Sequence, residues 1–181
     1  MAELDKSMIN FRKPRFSLCR IERRPFYQKM SDGSGQGRGM QFISLGGDCQ
    51  VAHHIRRLDP EADKHVFDFL ITPAKSITSL IERDFSRFLS IDDLEPGYPE
   101  DQDLQVIDKF NGIDVLHDFK TFQKDDVEET REKFLYLAKK FMRTLRSKAP
   151  ICFVRRWHHI DGPESGYTAR QLLAACRYRF S

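Results

Sequence analysis

The segment 41–58 constrains this chain more than any other, because it asks a strand to turn directly into a helix. Gln41-Phe42-Ile43-Ser44-Leu45 is a short, mostly apolar run that ends at Gly46-Gly47-Asp48-Cys49. Beyond it, Val51, Ala52, Ile55 and Leu58 recur at helical spacing until Pro60 stops them. The pattern predicts a buried strand near 41–45, a glycine turn and a helix near 49–58. Cys49 then stands at or beside a helix N-terminus, where unpaired N–H groups and the helix dipole favour an anion. The nucleophilic form of cysteine is the thiolate, and helix N-termini are among the places that favour it. A small buried hydrophobe at a helix start fits the same position, since free cysteine often behaves as one.

The alternation continues along the chain. Val66-Phe67-Asp68-Phe69-Leu70-Ile71 is a short apolar piece closed by Thr72-Pro73. Ser76 is placed to cap a helix in which Ile77, Leu80, Ile81, Phe85, Phe88 and Leu89 share a stripe. Residues 91–103 are acidic, carry Pro96-Gly97 and Pro99, and read as a surface loop. Val106–Phe110 and Ile113–Leu116 flank Asn111-Gly112, a strong hairpin signal. A long helix fits 125–147, with Val127, Phe134, Ala138, Phe141 and Leu145 on one side. Pro150 ends it, Ile151–Val154 reads as a buried strand, and Thr168 is placed to cap a last helix. The fold class expected is α/β, a mixed central sheet flanked by helices with one Asn-Gly β-hairpin.

Residues 1–40 differ from the rest. They hold nine Lys+Arg against four Asp+Glu, whereas the remainder holds 21 against 23. Arginines interleave with Phe11, Phe16, Phe26 and Tyr27, and 31–39 is rich in Gly and Ser. We read 1–40 as a disordered basic leader with a flexible linker, and 41–181 as one α/β domain. The nearly neutral body does not ask for nucleic acid. No apolar stretch approaches a membrane span and no secretory segment follows the N-terminus, so the expected location is cytoplasmic. The four cysteines are widely spaced with no CxxC pair, and no Walker or dinucleotide phosphate loop is present, so neither a metal nor a cofactor is expected.

A cysteine nucleophile needs a base, usually a histidine that the fold brings near. His117 ends the second hairpin strand, where α/β folds often assemble sites. The plainer reading of His117 is a satisfied polar strand end. His53 and His54 lie within one turn of Cys49 and should face solvent, His65 should lie at the surface, and His158 and His159 stand in a polar loop. Cys152 reads as core. Arg155 and Arg156, after the last strand, suit either an anion site or two solvated charges.

Four segments together resemble a bacterial domain family described as putative papain-like cysteine peptidases. They are Ile43–Ala52, Phe67–Pro73, His117-Asp118-Phe119 and Ile151–Arg155. They match that family's LG-x-x-C-Q-x-A, P-F-D-W-x-x-T-P, H-D-F and strand-Arg patterns in order, across roughly 41–160. Val66 and Phe69 depart from the family's Pro and Trp. The resemblance implies Cys49 as nucleophile and His117 as base. A third member to orient the imidazole stays open among Asp118, Asp68 and Asp161. Gln50 or the Cys49 backbone N–H could donate to an oxyanion. The resemblance also implies a domain that runs past Ser181, which would leave apolar side chains of the last helix bare and favour weak self-association.

The expected function is thiol-dependent hydrolysis or acyl transfer on a peptide or other acyl substrate. One alternative is a Gly-Asp-Cys version of a Gly-Asp-Ser esterase, with His158 or His159 as base. Another is a non-catalytic α/β binding or effector module in which Cys49 is structural.

Overall fold

The computed structural model describes residues 16–19, 40–97, 104–147, 149–156 and 169–178. Strand β1 (Phe16–Cys19) lies within the stretch read as a leader, and β2 (Gln41–Ser44) follows it. Both pair in parallel with β7 (Ile151–Val154), giving the order β1-β7-β2. All four residues of β7 are buried, as expected for a central parallel strand covered on both faces. Phe42, Cys152 and Val154 face Val51 and Ile55 of helix α1 (Cys49–Leu58). Ile43, Ile151 and Phe153 alternate to the opposite face and join the main core.

That core is shared with a second, antiparallel sheet. Its strands are β3 (Leu70–Ile71), β4 (Leu94–Pro96), β5 (Leu104–Asp108) and β6 (Ile113–Phe119), in the order β3-β6-β5-β4. Helices α2 (Ala74–Glu82), α3 (Lys124–Leu145) and α4 (Ala169–Tyr178) pack around it. The mixed α/β expectation therefore holds, with the parallel and antiparallel pairing divided between two ladders over one core. Phe67, Phe85, Phe88, Phe134 and Phe141 meet in that core largely edge to face, with Phe67 and Phe141 5.3 Å apart at 84°.

Several local expectations are corrected. Helix α2 starts after Pro73, and Ser76 is a buried residue inside it rather than its cap. It ends at Glu82. Phe85, Phe88 and Leu89 are buried from an irregular segment in which Asp84, Phe85, Arg87 and Leu89 all have positive φ. The Asp108 carboxylate explains how that segment is held: it accepts from Leu89 N, Asn111 N and Asn111 Nδ2 at 3.0, 3.0 and 2.7 Å. The same carboxylate widens the hairpin. Asp108 pairs with Ile113, so the loop is Lys109–Gly112 rather than the Asn-Gly dipeptide alone. Gly112 closes it at φ 62°. Part of the acidic loop is strand β4, and Pro96 is tolerated because β4 is an edge. His65 is buried, not at the surface. Leu172, Ala175 and Cys176 of α4 are buried, so these three do not form the bare patch expected there. Thr168, Asp161, His158 and His159 lie outside the described residues.

Candidate active site

The turn between β2 and α1 is built by glycine and fixed by arginine. Gly46 and Gly47 have φ of 65° and 99°, values that L side chains rarely adopt. A Cβ on Gly47 would lie 2.5 Å from the Arg156 carbonyl oxygen, so the chain end beyond β7 also excludes a side chain there. Asp48 caps α1 by accepting from Gln50 N at 3.0 Å. Cys49 is the first helical residue and is half-buried. As the first residue of the helix, its N–H has no intrahelical acceptor.

Arg155 is engaged by two backbone carbonyls, whereas Arg156 stays exposed to solvent while paired with Asp48 and Gln50. Arg155 donates to Leu45 O at 2.6 Å and to Thr72 O at 2.8 Å. It thereby ties the carbonyl before the Gly-Gly turn to the Thr-Pro corner that precedes α2. Arg156 donates to Asp48 Oδ2 at 2.7 Å and, more closely, to Gln50 Oε1. Three of the four sequence segments singled out above meet at these contacts. The fourth segment includes Arg155, whereas Arg156 stands out in the sequence only as a second cation after the last strand.

His117 lies on β6 and is exposed. Ile113, Val115 and Phe119 point to the core with the same parity, and His117 breaks the row. The cause is a register shift. Leu104 pairs with Phe119 and Val106 with Val115, so Leu116, His117 and Asp118 bulge opposite the single residue Gln105. Bulges of this kind re-aim a side chain and are common beside active sites.

Of the three carboxylates offered as the third member, the two among the described residues, Asp68 and Asp118, are both engaged. Asp68 is buried; it accepts from Arg56 at 2.5 Å and from His65 N at 3.0 Å. Burial raises its pKa, against the pull of the His65 N–H and of Arg56. Asp118 is paired with Lys133 of α3. Lys64 senses both: burial lowers its pKa first, Asp118 and Asp68 oppose the shift, and Lys133 and Arg56 add to it. Arg56 and Lys64 both lie over the Phe69 ring, 5.2 and 4.6 Å from its centroid. In the β3–β6 ladder Leu70 faces Val115, so Asp68 and His117 each stand two residues beyond that pair, toward the same end. His53 and His54 are exposed on α1, and Cys152 is fully buried. Among the described residues no cluster of three His, Cys, Asp or Glu side chains could hold a metal, and no helix is long and apolar enough to cross a membrane.

The described residues thus form a mixed α/β body with a half-buried cysteine on the first turn of the helix that follows parallel strand β2. The chain belongs to the family described as putative papain-like cysteine peptidase (DUF1796), whose model matches residues 40–179. That description puts it, coarsely, among thiol hydrolases. No curated protein and no solved structure matches it.

Proposed function

We propose that this protein is a thiol-dependent hydrolase or acyl-transfer enzyme in which Cys49 is the nucleophile and His117 the general base. Cys49 Sγ gives its proton to the imidazole and attacks an amide, ester or thioester carbonyl. The tetrahedral oxyanion collapses, the leaving group departs with the proton, and water or another acceptor resolves the acyl-enzyme. The observation that carries the reading is the placement of Cys49 as first residue of α1 after a glycine turn, in a chain of this family. The bulge at His117 supports it, because a residue that packing alone would turn inward is exposed. Of the two described carboxylates offered for orienting the imidazole, Asp68 is favoured over Asp118. It stands at the same end of the β3–β6 ladder as His117, whereas Asp118 is the strand neighbour of His117 and faces Lys133.

The test compares Cys49→Ala, His117→Ala and His159→Ala by the mass of an acyl-enzyme formed with an activated ester. Loss of the adduct in the first two, and its retention in the third, supports the reading. Retention in His117→Ala with loss in His159→Ala favours the esterase arrangement. An adduct that survives Cys49→Ala removes both.

A further inference from the structure

Arg156 has no part in the reaction as written so far, yet it touches both residues that flank Cys49. Its guanidinium lies on Asp48 Oδ2 at 2.7 Å and on Gln50 Oε1, while its own carbonyl oxygen fills the place where a Gly47 side chain would go. A guanidinium can only donate. Held against Gln50, it makes the amide present its oxygen to Arg156 and leaves the Nε2 hydrogens for another acceptor. The Gln50 backbone N–H is not available for that purpose, because the Asp48 carboxylate already takes it at 3.0 Å. The donors that remain at the start of α1 include the Cys49 N–H, which no helical carbonyl can accept, and Gln50 Nε2.

We infer that Arg156 is a positioning residue: it sets the orientation of the Gln50 amide so that Nε2, together with the Cys49 N–H, donates to the oxyanion formed when Cys49 attacks a carbonyl. Without it the amide rotates freely, and half of its orientations aim an acceptor at a developing negative charge. The cost falls on the tetrahedral step alone. Proton removal from Cys49 does not need Gln50, nor does an attack that builds no oxyanion. This inference rests on the proposed function, since it needs Cys49 to attack a carbonyl.

The difference in chemistry supplies the test. The full chain is reacted with p-nitrophenyl acetate, whose acylation passes through an oxyanion, and with iodoacetamide, whose alkylation by displacement at carbon does not. In Arg156→Gln the Cys49-dependent release of p-nitrophenolate should fall about 10-fold or more, a fraction of the effect of losing an oxyanion donor outright. The rate of Cys49 alkylation should stay within about twofold of the parent. Gln50→Leu should show the same split, and the double variant should lose no more than either single one, because the two side chains act as a unit. Equal falls in both reactions would mean that Arg156 only shapes the loop, and would overturn the inference. So would unchanged acylation. If the parent chain itself shows no acylation that depends on Cys49, the proposed function fails and the inference with it. Parent acylation that persists in Arg156→Gln removes the inference alone.

Discussion

Two residues carry much of the physical account, and neither is a nucleophile. Gly47 is held at φ 99° against the Arg156 carbonyl. Gly47→Ala should therefore cost about 2 kcal/mol or more, the scale of a strained backbone plus a close contact. Urea denaturation would check this, and a variant as stable as the parent would show that the turn has room to yield. His65 is the second. It is 5% exposed, and its Nδ1 is buried without a hydrogen-bond partner. Burial first, then the Lys140 cation, lower its pKa from 6.5 to about 4, with Asp63 opposing and Arg56 adding. The unfolded chain thus binds the proton more readily. The stability this neutral imidazole allows is present above the unfolded value and is lost as pH falls toward the folded one. The loss should total about 3 kcal/mol. Unfolding free energies at pH 7 and pH 4 should differ less in His65→Gln than in the parent by about that amount. Equal pH slopes would contradict it.

At the scale of elements, the hub around Asp108 is the point of greatest leverage. One fully buried carboxylate holds the positive-φ segment after α2, the hairpin loop and the Asn111 amide. Asp108→Ala leaves buried donors without acceptors and should cost about 3 kcal/mol, summed over several bonds of about 1 kcal/mol each. Thermal unfolding would report it, and a shift in midpoint too small to measure would contradict the hub. Strands and helices with long apolar patterns were legible in the sequence: β2, α1, α3 and β7 all stand close to where their periodicity put them. Elements set by tertiary contacts were not. The stripe from Ile77 to Leu89 reads as one helix, yet Asp108 captures the Leu89 N–H and the chain leaves helical geometry after Glu82. Strand β1 is flanked by arginines in a basic segment, and among the described residues its strand partner is β7. The site shows the same division. Cys49 at a helix start followed from local pattern. The bulge that exposes His117 depends on a register shift against β5, which no run of residues in β6 announces. Nor does local pattern carry the reach of Arg156 across 106 positions to Gln50.

For the whole molecule, the two ladders close over one core, and α4 contributes to it. The expectation of self-association rested on apolar side chains of the last helix lying bare, and Leu172, Ala175 and Cys176 are covered. The large exposed hydrophobics among the described residues, such as Leu58, Ile91, Phe110 and Tyr136, are spread over separate elements. We therefore predict a sedimentation coefficient that does not change with concentration; a rise with concentration would restore the idea of association.

The most direct measurement of the central claim is the pH dependence of Cys49 alkylation in the parent and in His117→Ala. Brief iodoacetamide pulses with peptide mass spectrometry would follow each cysteine separately. Cys152 and Cys176 are buried and should label slowly for that reason alone, so the informative standard is Cys49 in the urea-unfolded chain. Folded Cys49 should react faster than the unfolded standard near neutral pH, by about 10-fold or more, and His117→Ala should remove most of that advantage. Folded Cys49 reacting no faster than its unfolded counterpart, or equally fast with and without His117, would contradict a Cys49–His117 nucleophile.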